Sequence, residues 1–288
     1  MTSAFDQDRQ GTGTGEWSEK NFNIGKGCSC DCLYCYARWM AMFYKRIRNH
    51  EEWVYERYTD NAFKAHFPLE PGVIMFPSTH NLSMFYLQRA LPVLKSMLAA
   101  GNHVLIVTKP ELEVIRVLVG NLSRYRDQIL FRFTIGSLDE GLTRLWEPGA
   151  SAPCERLEAL SYAYAAGYQT SISIEPMLVG VEDALKVVEA VSSCVTETVW
   201  IGKMKCIKRR VIICTVEIRE AVELVKRQQS DIEILRLYNE LKSNEKIRWK
   251  DSIDQVLKRN GIYSFIKTEG DNSFSDISQI YRINLIAN

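Results

Sequence analysis

Short β-branched apolar runs alternate with longer amphipathic runs along most of this chain, and that alternation restricts the folds open to it. The strand-like runs are 73–76 (VIMF), 103–108 (HVLIVT), 129–135 (ILFRFTI), 168–174 (YQTSISI) and 196–201 (TETVWI), with 22–24 leading in ahead of them. Runs this short and apolar suit strands buried on both faces of a parallel sheet. Between them, 82–100, 112–122, 156–166 and 181–191 carry apolar residues at helical spacing. Gly101 and Gly167 stand between a helix and the next strand, where a glycine stop is expected. Six such units make a partial (β/α)6 barrel. Right-handed crossovers then put every strand's C-terminal end on one face, where β/α barrels gather their functional residues.

Composition allows one large domain. The 288 residues are 46% hydrophobic and 10% aromatic, ample for a sizeable core. Thirty-six basic residues against 35 acidic leave a formal charge of +1, so any nucleic-acid contact must come from a local patch. No apolar run approaches the roughly 18 residues that would span a bilayer. Eight cysteines without an apolar signal segment fit a reducing, cytoplasmic setting. Residues 1–17, with glycine at 11, 13 and 15, read as a flexible or partly ordered arm, and 18–202 as the barrel. After Gly202 the pattern changes: 203–210 is basic, and 216–229, 232–242 and 249–258 are helical and charged. The run 262–266 reads as an additional strand. The segment 203–288 is expected to be a mainly helical extension packed on the barrel.

Chemistry concentrates in 27–36, GCSCDCLYCY, where Cys28, Cys32 and Cys35 form C-x3-C-x2-C. Three thiolates at this spacing can hold three corners of a [4Fe-4S] cluster, leaving a fourth iron open to an external ligand. Zinc is the weaker alternative, because there is no second C-x2-C and His50, His66, His80 and His103 are scattered. A disulfide staple is the other weaker alternative, because such scaffolds are usually small secreted domains and this chain has 288 residues. Cys30 reads as a bystander. Of the remaining cysteines, Cys194 and Cys214 read as core residues, whereas Cys206 lies among Lys203, Lys205, Lys208, Arg209 and Arg210. That neighbourhood makes it a candidate second redox residue, and the basic cluster itself a candidate phosphate-backbone contact.

The cysteine motif is the signature of the radical S-adenosylmethionine enzymes, and this segment closely resembles them. Within that superfamily the chain resembles the spore photoproduct lyase-like, or DNA repair photolyase-like, family. NIGKGCSCDCLYCYAR, VTKP, the block FTIGSLDEGLTRLWEPGASAPCERLEAL and SISIEPML carry the resemblance over about 21–202. It implies a partial barrel and a cluster that reductively cleaves S-adenosylmethionine to a 5′-deoxyadenosyl radical. The radical would attack a nucleobase or nucleotide, with reduction by a donor such as flavodoxin or ferredoxin. Carried over by residue, Lys109 would pair with the cofactor carboxylate, the alternative being a surface lysine before a proline turn, and Ser137 would donate to its carboxylate or ribose or else cap the helix ahead of 138–140. Tyr34 would pack on the adenine or serve as a structural aromatic, and Ser78 and Thr79 would meet the methionine amino group or fill turn and capping roles. Glu175 ends a strand and faces either the mouth or an ion pair, while Glu147 and Arg156 are expected to brace the barrel. The stretch 76–81 departs from the lyases proper: it holds no cysteine to donate a hydrogen atom, which argues against thymine-dimer reversal by their route. A radical enzyme acting on a small metabolite or peptide, and a non-enzymatic iron–sulfur or zinc protein, are the rival readings.

Overall fold

The computed structural model describes residues 4–5, 9 and 11–262. Its strands are β1 (Lys20–Asn21), β2 (Gly25–Lys26), β3 (Arg57–Tyr58), β4 (Val73–Phe76), β5 (His103–Thr108), β6 (Ile129–Thr134), β7 (Gln169–Ile174), β8 (Val199–Ile201) and β9 (Ile247–Trp249). The helices are α1 (Tyr36–Phe43), α2 (Met84–Ala99), α3 (Leu112–Leu122), α4 (Glu140–Trp146), α5 (Pro153–Ala165), α6 (Val181–Val191), α7 (Ile207–Arg210), α8 (Val216–Gln228), α9 (Asp231–Leu241) and α10 (Asp251–Arg259).

Seven strands run parallel in the order β1-β4-β5-β6-β7-β8-β9, while β2 and β3 pair separately and antiparallel. Each βα unit adds its strand at the same growing edge, which gives the partial β/α barrel expected from the alternation. Two differences are local. The lead-in strand is β1, ending just before 22–24, although the Phe22 amide still donates to Met75 O at 2.9 Å. A seventh strand, β9, extends the sheet beyond β8. The run expected at 262–266 lies outside the described residues from 263 onward.

Alternation along the strands separates two cores. Ile74, Phe76, Val104, Ile106, Phe131, Phe133, Ile172 and Ile174 join the large core formed with the surrounding helices. Val73, Met75, Leu105 and Leu130 join a different cluster with Phe5 and Trp17. Phe5 and Trp17, both ahead of residue 18, are therefore buried against the sheet. Arg132 lies 4.8 Å from the centre of the Trp17 ring and 5.4 Å from that of Trp200, its Nε donating to Ser171 Oγ at 3.0 Å. Lys250 is fully buried, 3.0 Å from Glu16 and 3.5 Å from Glu175. Among the described residues no helix is long and apolar enough to cross a membrane.

Candidate active site at the C-terminal ends of the strands

The cysteine loop leaves β2 through Gly27, whose φ of +87° lies in the left-handed region. A Cβ there would come within 2.2 Å of Tyr55 O. Cys28 N donates to Trp53 O at 2.7 Å, tying one flank of the loop to 53–55. The other flank is held by the end of α4: Leu33 N donates to Trp146 O at 2.9 Å and Gly149 N to Cys30 O at 3.1 Å. Arg38 of α1 closes the turn through Asp31 at 2.6 Å and Leu33 O at 3.1 Å.

All four thiols of the loop border one cavity of about 190 Å³ at the ends of β4 and β5. They are free, and Cys28, Cys30 and Cys32 are buried. Burial pushes the Cys32 thiol up to about 12 and raises Cys35, while a hydrogen bond with Cys30 brings Cys28 down to about 7 and raises Cys30 in exchange. Among the described residues no three His, Cys, Asp or Glu side chains gather around a single metal ion. An iron–sulfur cluster asks for something else: thiolates attached to different irons, spread around a larger object. Three cysteines on one cavity wall fit that donor set. Its assembly would have to release protons from the buried thiols.

Tyr34, Ser78, Thr79 and Lys109 border the same cavity, so the loop and two strand ends bring these expected site residues together. Lys109 Nζ lies 3.8 Å from Glu147 Oε1 and 5.7 Å from the centre of the Tyr34 ring. Burial acts to lower its pKa, but Cys32 and Glu147 more than offset that, holding the ammonium charged. Glu147 is the hub: fully buried, it also accepts from the Tyr34 hydroxyl and pairs with Arg156 at 2.6 Å. Arg156 in turn donates to Ser151 O and Thr134 O, clamping the end of β6. Glu147 and Arg156 thus brace the site from beneath.

Two asparagines escaped the sequence reading. Asn81 Oδ1 accepts from Thr108 Oγ1 at 2.5 Å and Lys109 N at 2.8 Å, while the Asn81 backbone N donates to Cys28 Sγ at 3.3 Å. Asn23 Oδ1 accepts from the amides of Ser78 and Thr79 at 2.7 and 3.0 Å, and its Nδ2 donates to Ser78 Oγ. Between them they lock three loops in register. Burial pushes His80, which borders the same cavity, down to about 4, leaving a neutral ring.

Other expected residues lie elsewhere. Ser137 does not border the cysteine cavity; its hydroxyl donates to Asp183 at 2.9 Å and accepts from Asp139 N at 3.0 Å. These bonds order the turn into α4, whose N-cap is Asp139. Glu175 borders a separate small cavity and pairs with Lys250. Cys206 is exposed, with a left-handed φ of +55° ahead of α7. Cys214 is exposed rather than in the core, because 211–215 links α7 to α8 instead of forming a strand. Cys194 is half-buried against the large core. In the basic cluster, Lys205 pairs with Asp251 at 2.6 Å and Lys203 lies 3.9 Å from Asp231, whereas Lys208 and Arg209 are exposed.

No family model matches the chain. A curated relative, the uncharacterized protein ORF301 of Acidianus two-tailed virus, is 26% identical over 176 residues, covering 54% of this chain and 54% of its own length. Among solved structures, SuiB of Streptococcus suis aligns at 11% identity with a TM-score of 0.51, over 83% of this chain and 50% of its own. SuiB bound to the precursor peptide SuiA gives 10% identity and a TM-score of 0.51, over 84% of this chain and 51% of its own. A spore photoproduct lyase mutant with a dinucleoside spore photoproduct aligns at 16% identity and a TM-score of 0.44, over 72% of this chain and 59% of its own. The chain spans about half the length of ORF301 and of SuiB. At this identity the likeness to SuiB is one of fold, the partial β/α barrel.

Proposed function

We propose that this chain is a radical S-adenosylmethionine enzyme whose Cys28, Cys32 and Cys35 hold a [4Fe-4S] cluster. The observation that carries the reading is the meeting of those three thiols with Lys109 and Tyr34 in one cavity at the strand ends. When bound, the cluster supplies the electron that cleaves S-adenosylmethionine to a 5′-deoxyadenosyl radical. Lys109, held charged, offers a point charge for the cofactor carboxylate. Tyr34, its hydroxyl tied to Glu147, presents a fixed ring to the adenine. SuiB, which has this fold, has also been crystallised with S-adenosylmethionine. Fold alone does not transfer a ligand, so the weight rests on the cysteines. The proposed substrate is a nucleobase or nucleotide in nucleic acid, supported by the motif resemblance and by the cations that follow β8.

Anaerobic reconstitution tests the reading. The expected result is a brown, reducible cluster and release of 5′-deoxyadenosine from S-adenosylmethionine. Cys32→Ala should abolish both, and Cys30→Ala should preserve them. A wild-type chain that takes up no reducible cluster, or takes one up and never cleaves S-adenosylmethionine, would end the proposal.

A further inference from the structure

Tyr34 borders two cavities: the one lined by the cysteines and a smaller one of about 50 Å³ walled by Glu175, Lys203, Met204, Lys205 and Arg210. Three cations from one short stretch after β8 thus meet in a single recess. Lys205 is committed to Asp251 at 2.6 Å, and Glu175 to Lys250 at 3.5 Å. Lys203 is loosely held, 3.9 Å from Asp231. Arg210 is different: its buried Nε has no hydrogen-bond partner among the described residues, and its guanidinium lies 5.2 Å from the centre of the Tyr36 ring. A buried donor left unmade is costly, and a guanidinium most of all, because it cannot give up its charge. The recess therefore gathers more cations than carboxylates, and Arg210 has no ion-pair partner among the described residues.

We propose that this recess is the subsite for a phosphate group of the substrate, with Arg210 and Lys203 as its donors. One water needs roughly 10–15 Å³ of such space, so the recess takes an object the size of a few waters and excludes a base. A guanidinium beside an ammonium matches the several oxygens of a phosphate. A phosphate anchored here leaves the rest of a nucleotide free to reach past Tyr34 towards the cysteine cavity. The inference rests on the proposed reaction for the identity of the substrate, while the binding of the anion can be tested without it.

Calorimetric titration of the full chain with inorganic phosphate, at constant ionic strength, reads the site directly. Saturable binding is expected in the wild type, weakened about tenfold by Arg210→Gln and several-fold by Lys203→Gln, and partly restored by Arg210→Lys. The double variant Lys226→Gln/Arg227→Gln, on the exposed end of α8 and outside the basic cluster, should stay within about twofold of wild type. Thermal melts confirm that each variant is folded. A nucleoside 5′-monophosphate binding tighter than a dinucleoside monophosphate would assign the site to a free nucleotide, and the reverse order to an internal phosphodiester. The proposal falls if the wild type shows no saturable phosphate binding, if both single variants match it, or if a bare nucleoside binds as well as its monophosphate. Because heat of binding does not depend on cofactor cleavage, failure here and failure of the radical reaction are separate results.

Discussion

At the scale of single residues, Glu147 organises the site more than any group that borders it. One buried carboxylate serves the Tyr34 hydroxyl, Lys109 and Arg156. Taking it from water is expensive, and only several partners offset that cost. Burial acts to raise the Glu147 pKa, but Lys109 and Arg156 win and hold it below its ordinary value of 4.5. The folded carboxyl thus binds its proton more weakly than the unfolded one. The resulting stabilisation is present above the ordinary value and is lost as pH falls through the lower folded value. Glu147→Gln should lower stability at neutral pH by about 3 kcal/mol, since two buried cations lose their counter-charge. Urea unfolding across pH 3 to 7, a range set roughly by ordinary carboxylate titration, should show this loss and a shallower acid slope in the variant. That the cysteines and Lys109 would lie near one another was expected, the cysteines from their spacing and Lys109 from the family resemblance, and they do border one cavity. Asn23 and Asn81 were not expected: each acts through hydrogen bonds to residues 55 and 27 positions away, which leave no periodic trace.

At the scale of elements, the cysteine loop is shaped less by its own sequence than by the two segments that grip it. The end of α4 lies against the loop so closely that a Cβ at Gly149 would stand 2.0 Å from Ser29 O. Backbone, unlike a flexible side chain, cannot swing aside. Gly149→Ala should therefore push the loop outward, costing about 1–3 kcal/mol as an overpacked contact. Iron bound per chain after reconstitution should fall while far-ultraviolet circular dichroism stays unchanged; full iron occupancy would show that the contact does not set the loop. The regular elements were readable where they were long and periodic, as with 112–122 and 181–191, which match α3 and α6. Short ones were not. The strand β9 is three residues, Ile247-Arg248-Trp249, in charged surroundings, and it exists because β8 offers it a partner. Likewise α1 begins inside the cysteine motif, its first turn capped by the Cys35 thiol.

At the scale of the whole molecule, the two ends of the described chain meet. Glu16 and Trp17 from the N-terminal stretch surround Lys250, which lies between β9 and α10, with the ammonium 4.1 Å from the centre of the Trp17 ring. Glycines at 11, 13 and 15 read locally as a flexible or partly ordered arm, and no short-range pattern could announce that Glu16 and Trp17 contact a lysine more than 230 residues away. The junction also gathers acids: Asp254 of α10 lies in the field of Glu16 and Asp251. Burial first, then those two carboxylates, push Asp254 up to about 6 from 3.8, against the opposing pull of Lys258. The sign is opposite to that of Glu147. A raised carboxyl holds its proton more tightly when folded, so its contribution is full below 3.8 and is lost as pH rises through about 6. Stability should consequently decline across that interval by an amount traceable to this residue. Asp254→Asn, which keeps the shape and cannot ionise, should flatten the decline and leave the protein more stable than wild type at neutral pH. Paired urea titrations at pH 4 and 7, roughly either side of the transition, would decide it. Equal pH dependence in the two proteins would mean that the acids at the junction are already relieved by solvent.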